Sequence, residues 1–395
     1  MPPLTTRALP LLVAGLGTTM VLCDESALAV VVDIAMGGMV LLVLALVLAE
    51  LARRRGARTA AVVTALVSIT ALGFAVVQRW GRISCESVQV SSGSVTLAGT
   101  VCRPRGSSDA AGAVLVHGSG PATRDEFSSL ARLLARRGIA AVAYDKRGAG
   151  ESTGETHGGP YRDYAQDAAA MLRHLQAVPG VDPTRVGLVG ISEAEWVMPQ
   201  VPTLGVRPAF IVVIGASGVS PLAQVNDQIR LRLERNGFDP AAVDAAVAFH
   251  DRYHEYLRGA VTAETMTEEL RAARAEGWYA AAGKLPDAVH PREEYAWWIG
   301  VMDLDPTPLW QRIDVPVLVL KGEADDRSDA SRAVAAIERA LHTGGNEHVR
   351  TEILPGADHS LLRWPLGERV PPPRFADGYP ESMVAWILEV ATRIG

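Results

Sequence analysis

From Ala111 onward, short apolar runs of strand length alternate with helical patterns, and this alternation restricts the fold more than any other feature of the 395-residue chain. "GAVLVHG", "IAAVAYDKRG", "RVGLVGIS", "PAFIVVIGA" and "VPVLVLKGEAD" read as strands, while "FSSLARLLARRG" and "YRDYAQDAAAMLRHLQAV" carry amphipathic helical spacing. The strand runs are apolar throughout rather than at every second residue, so both of their faces must be buried. Strands of that kind interleaved with helices predict an α/β fold, with a mostly parallel central sheet and helices on both faces. "ESVQVSSGSVTLAGTV", between Cys85 and Cys102, alternates and turns at Gly93-Ser94, which predicts an antiparallel hairpin at the sheet edge.

Between Ser217 and about Gly300 the strand signal disappears. "QVNDQIRLRLERNG", "AAVDAAVAFHDRYHEYLRG" and "TAETMTEELRAARAEGWYAAAG" read as helices, and "YAWWIGVM" adds aromatic surface. A helical insertion of this length between two sheet strands is expected to form a cap over the carboxyl ends of the strands, where open α/β sheets bind their ligands.

Three strand ends carry the residue types that acyl transfer needs, in the order serine, acid, histidine. Ser192 follows "RVGLVG" and precedes the short helical "EAEWVMPQ"; Asp325 follows "VPVLVLKGEA"; His359 sits in "LPGADHSLL", after the strand "VRTEIL". In that constellation the serine attacks a carbonyl, the histidine takes its proton and the aspartate orients the histidine. The developing oxyanion needs backbone N–H donors. Glu193, the residue after the nucleophile, is expected to supply one, and Ser119 of the loop "HGSGP" the other. Asp326 and Glu323 are alternatives to Asp325 as the acid.

These segments together resemble the α/β-hydrolase superfamily. "VHGSGPATRDEF", "AVAYDKRGAGESTG", "VGLVGIS", "VPVLVLKGEAD" and "GADHS" occur in that family's order, and the likeness is closest to bacterial serine esterases with an HGSGP oxyanion loop, near the serine-aminopeptidase-like branch. The resemblance covers residues 85–395, cap included. It implies an α/β-hydrolase fold with a helical cap, and ester, thioester or amide hydrolysis without metal or organic cofactor. The family's G-E-x-D pattern favours Asp325 over Asp326 and Glu323.

The turn "GISEAEW" departs from the family pattern. The strand and helix cross closely there, so the positions two before and two after the serine must be small; Gly190 satisfies this and Ala194 adds one methyl group. Glu195 stands where the family usually has glycine. Three residues on from Ser192, it shares that residue's helix face. We expect its carboxylate to turn to solvent or to pair with an arginine such as Arg147. If it faced the oxyanion site instead, it would oppose the developing charge.

Other candidates carry less chemistry. His250 and His254 have the i, i+4 spacing of metal ligands but lack the glutamate of a metalloprotease helix, and read as a solvated cap face. The glycine-rich "GAGESTGETHGG" lacks the lysine of a phosphate loop and reads as a strand-to-helix turn at the cleft edge. Trp297 and Trp298 either line an acyl pocket or anchor the cap.

The apolar excess lies in the first eighty residues. Ala8 to Cys23, Ala27 to Ala49 and Ala60 to Val77 are three apolar stretches, the last two meeting the lower limit of about 17 residues for a spanning helix. A cleaved signal peptide is the competing reading of the first, weakened by its single preceding basic residue, Arg7. Asp33 inside the second reads as a helix-contact or near-interface residue. Arg53, Arg54, Arg55 and Arg58 separate the second and third stretches, whereas "CDES" lies between the first two. The positive-inside rule then puts the arginine loop in the cytoplasm and everything after Val77 outside, with Arg79 and Arg82 counting mildly against this.

The cysteines agree with an outside placement. Pairing Ser92 with Val95 fixes the hairpin register and brings Cys85 opposite Cys102 in a non-hydrogen-bonded pair, within disulfide range. A net charge of −6, with no basic run interleaved with aromatics, gives no reason to expect nucleic-acid binding.

The expected organisation is a transmembrane region over 1–80, a hydrolase core over 81–216 and 301–395, and a helical cap over 217–300. The expected activity is a membrane-anchored serine hydrolase of small or lipophilic esters, its domain outside the cell membrane and the lipid bilayer its other partner. A peptidase or amidase of the same fold, and a catalytically silent binding or sensor protein, are the alternatives.

Overall fold

The computed structural model describes residues 83–364 and 373–394. The three apolar stretches expected to span a membrane lie outside these residues. Among the described residues no helix is long and apolar enough to cross a membrane.

One eight-stranded sheet organises the domain. Its strands are β1 (Ile83–Ser92), β2 (Val95–Pro104), β3 (Ala110–Val116), β4 (Ile139–Tyr144), β5 (Val181–Ile191), β6 (Ile211–Ile214), β7 (Val317–Gly322) and β8 (Val349–Leu354). The order across the sheet is β1-β2-β4-β3-β5-β6-β7-β8. β2 runs antiparallel to both neighbours, and every other pairing is parallel. In the edge hairpin Ser92 pairs with Val95 and Cys85 with Cys102, as expected, and these cysteines form a disulfide across Cα atoms 4.0 Å apart.

Helices cover both faces. α1 (Ser128–Arg136) and α11 (Glu381–Ile394) lie on one; α2 (Tyr161–Gln176), the short α3 (Ala194–Val197), α9 (Thr307–Trp310) and α10 (Ala330–Thr343) lie on the other. The strands divide their residues between the two layers with period two. On β3, Ala113 and Leu115 pack with Leu134, Trp386 and Ile387, while Val114 and Val116 pack with Leu172 and Met198. Met171, Leu172 and Leu175 of α2 are fully buried, each burial contributing about 1.5–3 kcal/mol.

Between β6 and β7 the chain is helical. α4 (Pro221–Arg235), α5 (Pro240–Leu257), α6 (Ala263–Ala273), α7 (Gly277–Ala282) and α8 (Ala296–Val301) follow one another. Ser220 and Asp239 cap α4 and α5 by accepting from Ala223 N–H and Ala242 N–H, with proline at the first helical position of each. The pattern expected as one helix over 262–283 breaks at Arg274–Glu276 into α6 and α7. These helices bury a core of their own, including Ile229, Leu233, Val247, Phe249 and Trp278. An insertion with its own core behaves as a body seated on the sheet rather than as a loop.

Candidate active site

β5 ends in a sharp turn. Ser192 adopts φ +56°, a left-handed conformation that side-chain-bearing residues seldom take, and its N–H donates to Ile214 O of β6 at 2.8 Å. The turn tolerates no side chain at Gly190, where an added Cβ would lie 2.5 Å from Ala194 Cβ and 2.8 Å from Met198 Sδ. Gly118 of the loop after β3 lies against the same turn: a Cβ there would reach Ser192 Cβ at 3.4 Å, an ordinary van der Waals contact. Ser119, the next residue, is exposed.

His359 and Asp325 meet beside this turn. His359 Nδ1 lies 2.8 Å from Asp325 Oδ2. The His359 ring also lies against Gly215, the residue after Ile214, where a Cβ would be 3.0 Å from Cε1 and 2.8 Å from His359 O. The segments after β5, β7 and β8 thus carry Ser192, Asp325 and His359 to one end of the sheet, with Gly215 after β6 lying against the His359 ring. Asp325 is buried, and its Oδ1 accepts from Arg327 N–H at 2.7 Å. Burial opposes its ionisation, but the His359 hydrogen bond and the charge of Lys321 outweigh that and hold the carboxyl below the ordinary range. A carboxylate so held can only accept, so Nδ1 carries a proton, and in the neutral ring Nε2 is the nitrogen that keeps its lone pair.

The other acids have different partners. Glu323 accepts from Gly356 N–H at 2.9 Å, and Asp326 lies 3.3 Å from Arg327 Nε.

Glu195 departs from expectation. It neither faces solvent nor pairs with Arg147; it is buried, and its carboxylate accepts from Ser217 N–H at 2.9 and 3.0 Å, Ser217 Oγ at 2.6 Å and Gly218 N–H at 2.8 Å. Arg147 is occupied by Asp167 and Asp163. The reason is local geometry: the helix after Ser192 packs its inner face on the loop leaving β6, whose N–H groups need an acceptor. Burial pushes Glu195 up, and the Ser217 and Gly218 donors and Lys321 pull against it.

Two lysines escaped the sequence reading. Lys321 is fully buried in β7 and donates to Ala216 O at 2.9 Å and Ser328 Oγ at 2.8 Å, with Asp325 Oδ2 at 2.7 Å. Lys146, after β4, contacts the buried Glu193 carboxylate and donates to Gly118 O at 2.9 Å. Burial raises Glu193, opposed by Lys146 and the Ser119 hydroxyl.

The remaining candidates have structural partners. His250 and His254, expected on a solvated face, are buried in the cap: His250 Nδ1 meets Asn226 Oδ1 at 2.6 Å, and His254 Nε2 accepts from Trp298 Nε1 at 2.8 Å. No cluster of metal-ligating side chains occurs among the described residues. Trp298 packs against both the cap cluster and the core beneath the sheet face. Trp297 crosses to the core, donating to Gly159 O at 2.9 Å and packing edge-on against Tyr161.

A family description, alpha/beta hydrolase family, matches residues 113–377. A "Non-heme haloperoxidase" of Rhodococcus erythropolis is 37% identical over 62 residues, which is 16% of this chain and 23% of that protein. Among solved structures, an esterase of Pyrococcus furiosus is similar at 15% identity and TM-score 0.47, covering 79% of this chain and 92% of its own. Est1E of Butyrivibrio proteoclasticus, with ferulic acid bound, is similar at 12% identity and TM-score 0.47, covering 78% and 98%. The family match spans well over half of the chain and takes in strands β4 to β8, the turn at Ser192 and the His359–Asp325 pair: the protein belongs to the α/β-hydrolase family.

Proposed function

We propose that the protein is a serine hydrolase that cleaves carboxylic esters, and thioesters by the same chemistry, through an acyl-enzyme. The single observation that carries this reading is the bond between His359 Nδ1 and the buried Asp325, next to a serine held in a strained left-handed turn. His359 Nε2 takes the proton from Ser192 Oγ as the oxygen attacks the ester carbonyl. The carbonyl oxygen becomes an oxyanion between the backbone N–H groups of Glu193 and Ser119. Collapse expels the alcohol, which receives the proton from His359. Water then attacks the acyl-enzyme by the same route, and the acid leaves. Asp325 orients the imidazole and stabilises it while it is charged. Each oxyanion donor of this type lowers the barrier by about 3–4 kcal/mol.

Glu195 was the feature that favoured a silent binding protein. With its carboxylate engaged by Ser217 and Gly218, that support falls away. The reading extends to location: a chain anchored by three N-terminal spans, with the hydrolase domain outside the membrane. The Cys85–Cys102 disulfide supports it, since disulfides persist in oxidising compartments.

Labelling of the full chain with a fluorophosphonate probe tests the central claim. Wild type should be labelled at Ser192 and Ser192→Ala not at all. An unlabelled wild-type protein that is folded ends the proposal.

A further inference from the structure

Lys321 is a lysine near the carboxyl end of a buried strand, and its three N–H donors face Ala216 O, Ser328 Oγ and the carboxylate oxygen that also holds His359. A cation there half-cancels the charge on which the imidazolium of a serine hydrolase depends. The same loop, 216–218, ends on the second buried carboxylate, Glu195. We propose that Lys321 and Glu195 form a compensating charge pair that sets the proton affinity of the His359–Asp325 couple, Lys321 fixing the position of Asp325 and Glu195 restoring the single negative charge that Lys321 removes. This rests on the serine-hydrolase reading above and explains why that site carries a glutamate where the family usually has glycine.

The hydrogen bonds define the charges. Ser217 N–H and Gly218 N–H can only donate, and the rotatable Ser217 hydroxyl adds a third donor, so together they favour the ionised carboxylate against the burial that pushes Glu195 up. Every contact of the Glu195 carboxylate is thus with a donor, as an ionised group requires. With Asp325 and Glu195 negative and Lys321 positive, one net negative charge remains on the group formed by these three residues, of which Asp325 holds His359.

The surrounding charges pair off locally. Asp326 lies against Arg327, with Lys284 of the cap nearby. Asp227 of α4, which feels Lys321, pairs with Arg332. Arg235 of α4 donates to the Asp325 backbone carbonyl rather than to its carboxylate. Asp358, beside His359, accepts from Ser360 N–H, Leu362 N–H and Trp364 Nε1. Tyr161, which faces Glu195 from α2, is held neutral by burial.

The readout is the acid limb of activity against pH, because the general base must be neutral. In the full chain, the rate of fluorophosphonate labelling and the hydrolysis of p-nitrophenyl acetate are followed from pH 5 to pH 9. Lys321→Met leaves two negative charges beside the imidazole, so the limb moves to higher pH, by about one unit. Glu195→Gln leaves none, and the limb moves to lower pH by a similar amount, about one unit. The double variant returns to within about 0.3 unit of wild type. A lysine serving packing alone would change amplitude or stability and leave the limb in place. Lys321→Met strips one partner from a buried pair and can unfold the chain; Glu195→Gln, nearly isosteric, then decides by itself. A wild type unlabelled at every pH overturns the hydrolase reading and this inference together. A labelled wild type whose limb ignores Glu195→Gln, or moves the same way in both single variants, overturns this inference alone.

Discussion

Lys146 joins the two halves of the proposed oxyanion site: its ammonium contacts the Glu193 carboxylate on the turn after Ser192 and donates to Gly118 O in the loop after β3. It also sits over the Tyr164 ring, 4.4 Å from the centroid. One side chain therefore fixes the separation of the two backbone segments expected to bind the oxyanion. Lys146→Met should leave Glu193 buried without its partner and cost about 3–5 kcal/mol in urea unfolding. Lys146→Met with Glu193→Leu should recover most of that stability, since an apolar pair carries no desolvation penalty. Activity should not follow stability back, because the clamp on Gly118 is still missing. Equal recovery of both would assign Lys146 to stability alone.

Ser192→Ala and His359→Ala should each lower kcat for a short p-nitrophenyl ester by about 10⁴ or more, and the double variant should lose little beyond either. Steady-state kinetics on the three variants checks this. Residual activity near wild type in Ser192→Ala would move the nucleophile elsewhere.

Most of the fold and part of the site were legible in the chain. Apolar runs on β3 to β7 report burial on both faces, a local consequence of sequence, and the two-residue turn at Gly93-Ser94 fixes the register that pairs Cys85 with Cys102. Ser192, Asp325 and His359 stand out as candidates because strand ends are recognisable in the sequence and the parallel topology brings them to one edge of the sheet. The partners of Glu195 were not found, because Gly218 and Ser217 meet it through backbone N–H groups that no residue type advertises, with the Ser217 hydroxyl added 22 residues away in sequence. Lys321 did leave a signal: a charge inside "VLVLK" must find a partner, and Asp325 lies four residues on. The buried histidines of α5 looked solvated because Asn226 and Trp298, which satisfy them, come from other helices.

The Cys85–Cys102 bridge staples the edge hairpin. In the chain-entropy model, closing a loop of this size stabilises the fold by about 3 kcal/mol, so Cys85→Ser with Cys102→Ser should lower stability by roughly that amount. Protein isolated without reductant should resist alkylation at both positions, and a reporter fused after Gly395 should be active only when exported. Two free thiols would count against the extracytoplasmic placement.

Buried histidines make stability fall with acid. Burial lowers His117 from 6.5 to about 4 and His250 to about 3. The unfolded chain binds these protons first, so stability is present above about pH 6.5 and is lost as pH falls toward 4. His117 alone accounts for roughly 3 kcal/mol over that interval. Glu193 and Glu195, raised by burial, act in the opposite sense. Urea midpoints measured from pH 8 to pH 4 should fall in wild type and fall less in His250→Gln; identical slopes would remove His250 from the explanation.

Glu195→Gly restores the residue the family usually has, and separates the roles of that carboxylate. The substitution withdraws the acceptor of Ser217 N–H, Ser217 Oγ and Gly218 N–H at once. Stability should fall by about 1–3 kcal/mol, the cost of leaving such donors without a partner, less whatever water entering the vacated space returns. Above the acid limb, kcat/KM for a simple ester should change less than about tenfold, or roughly 1.4 kcal/mol, because the carboxylate is spent on the β6 loop rather than on the reacting oxygen. A rise of a hundredfold or more would show the opposite: a charge that suppresses the site, and a chain in which the hydrolase machinery is held in check.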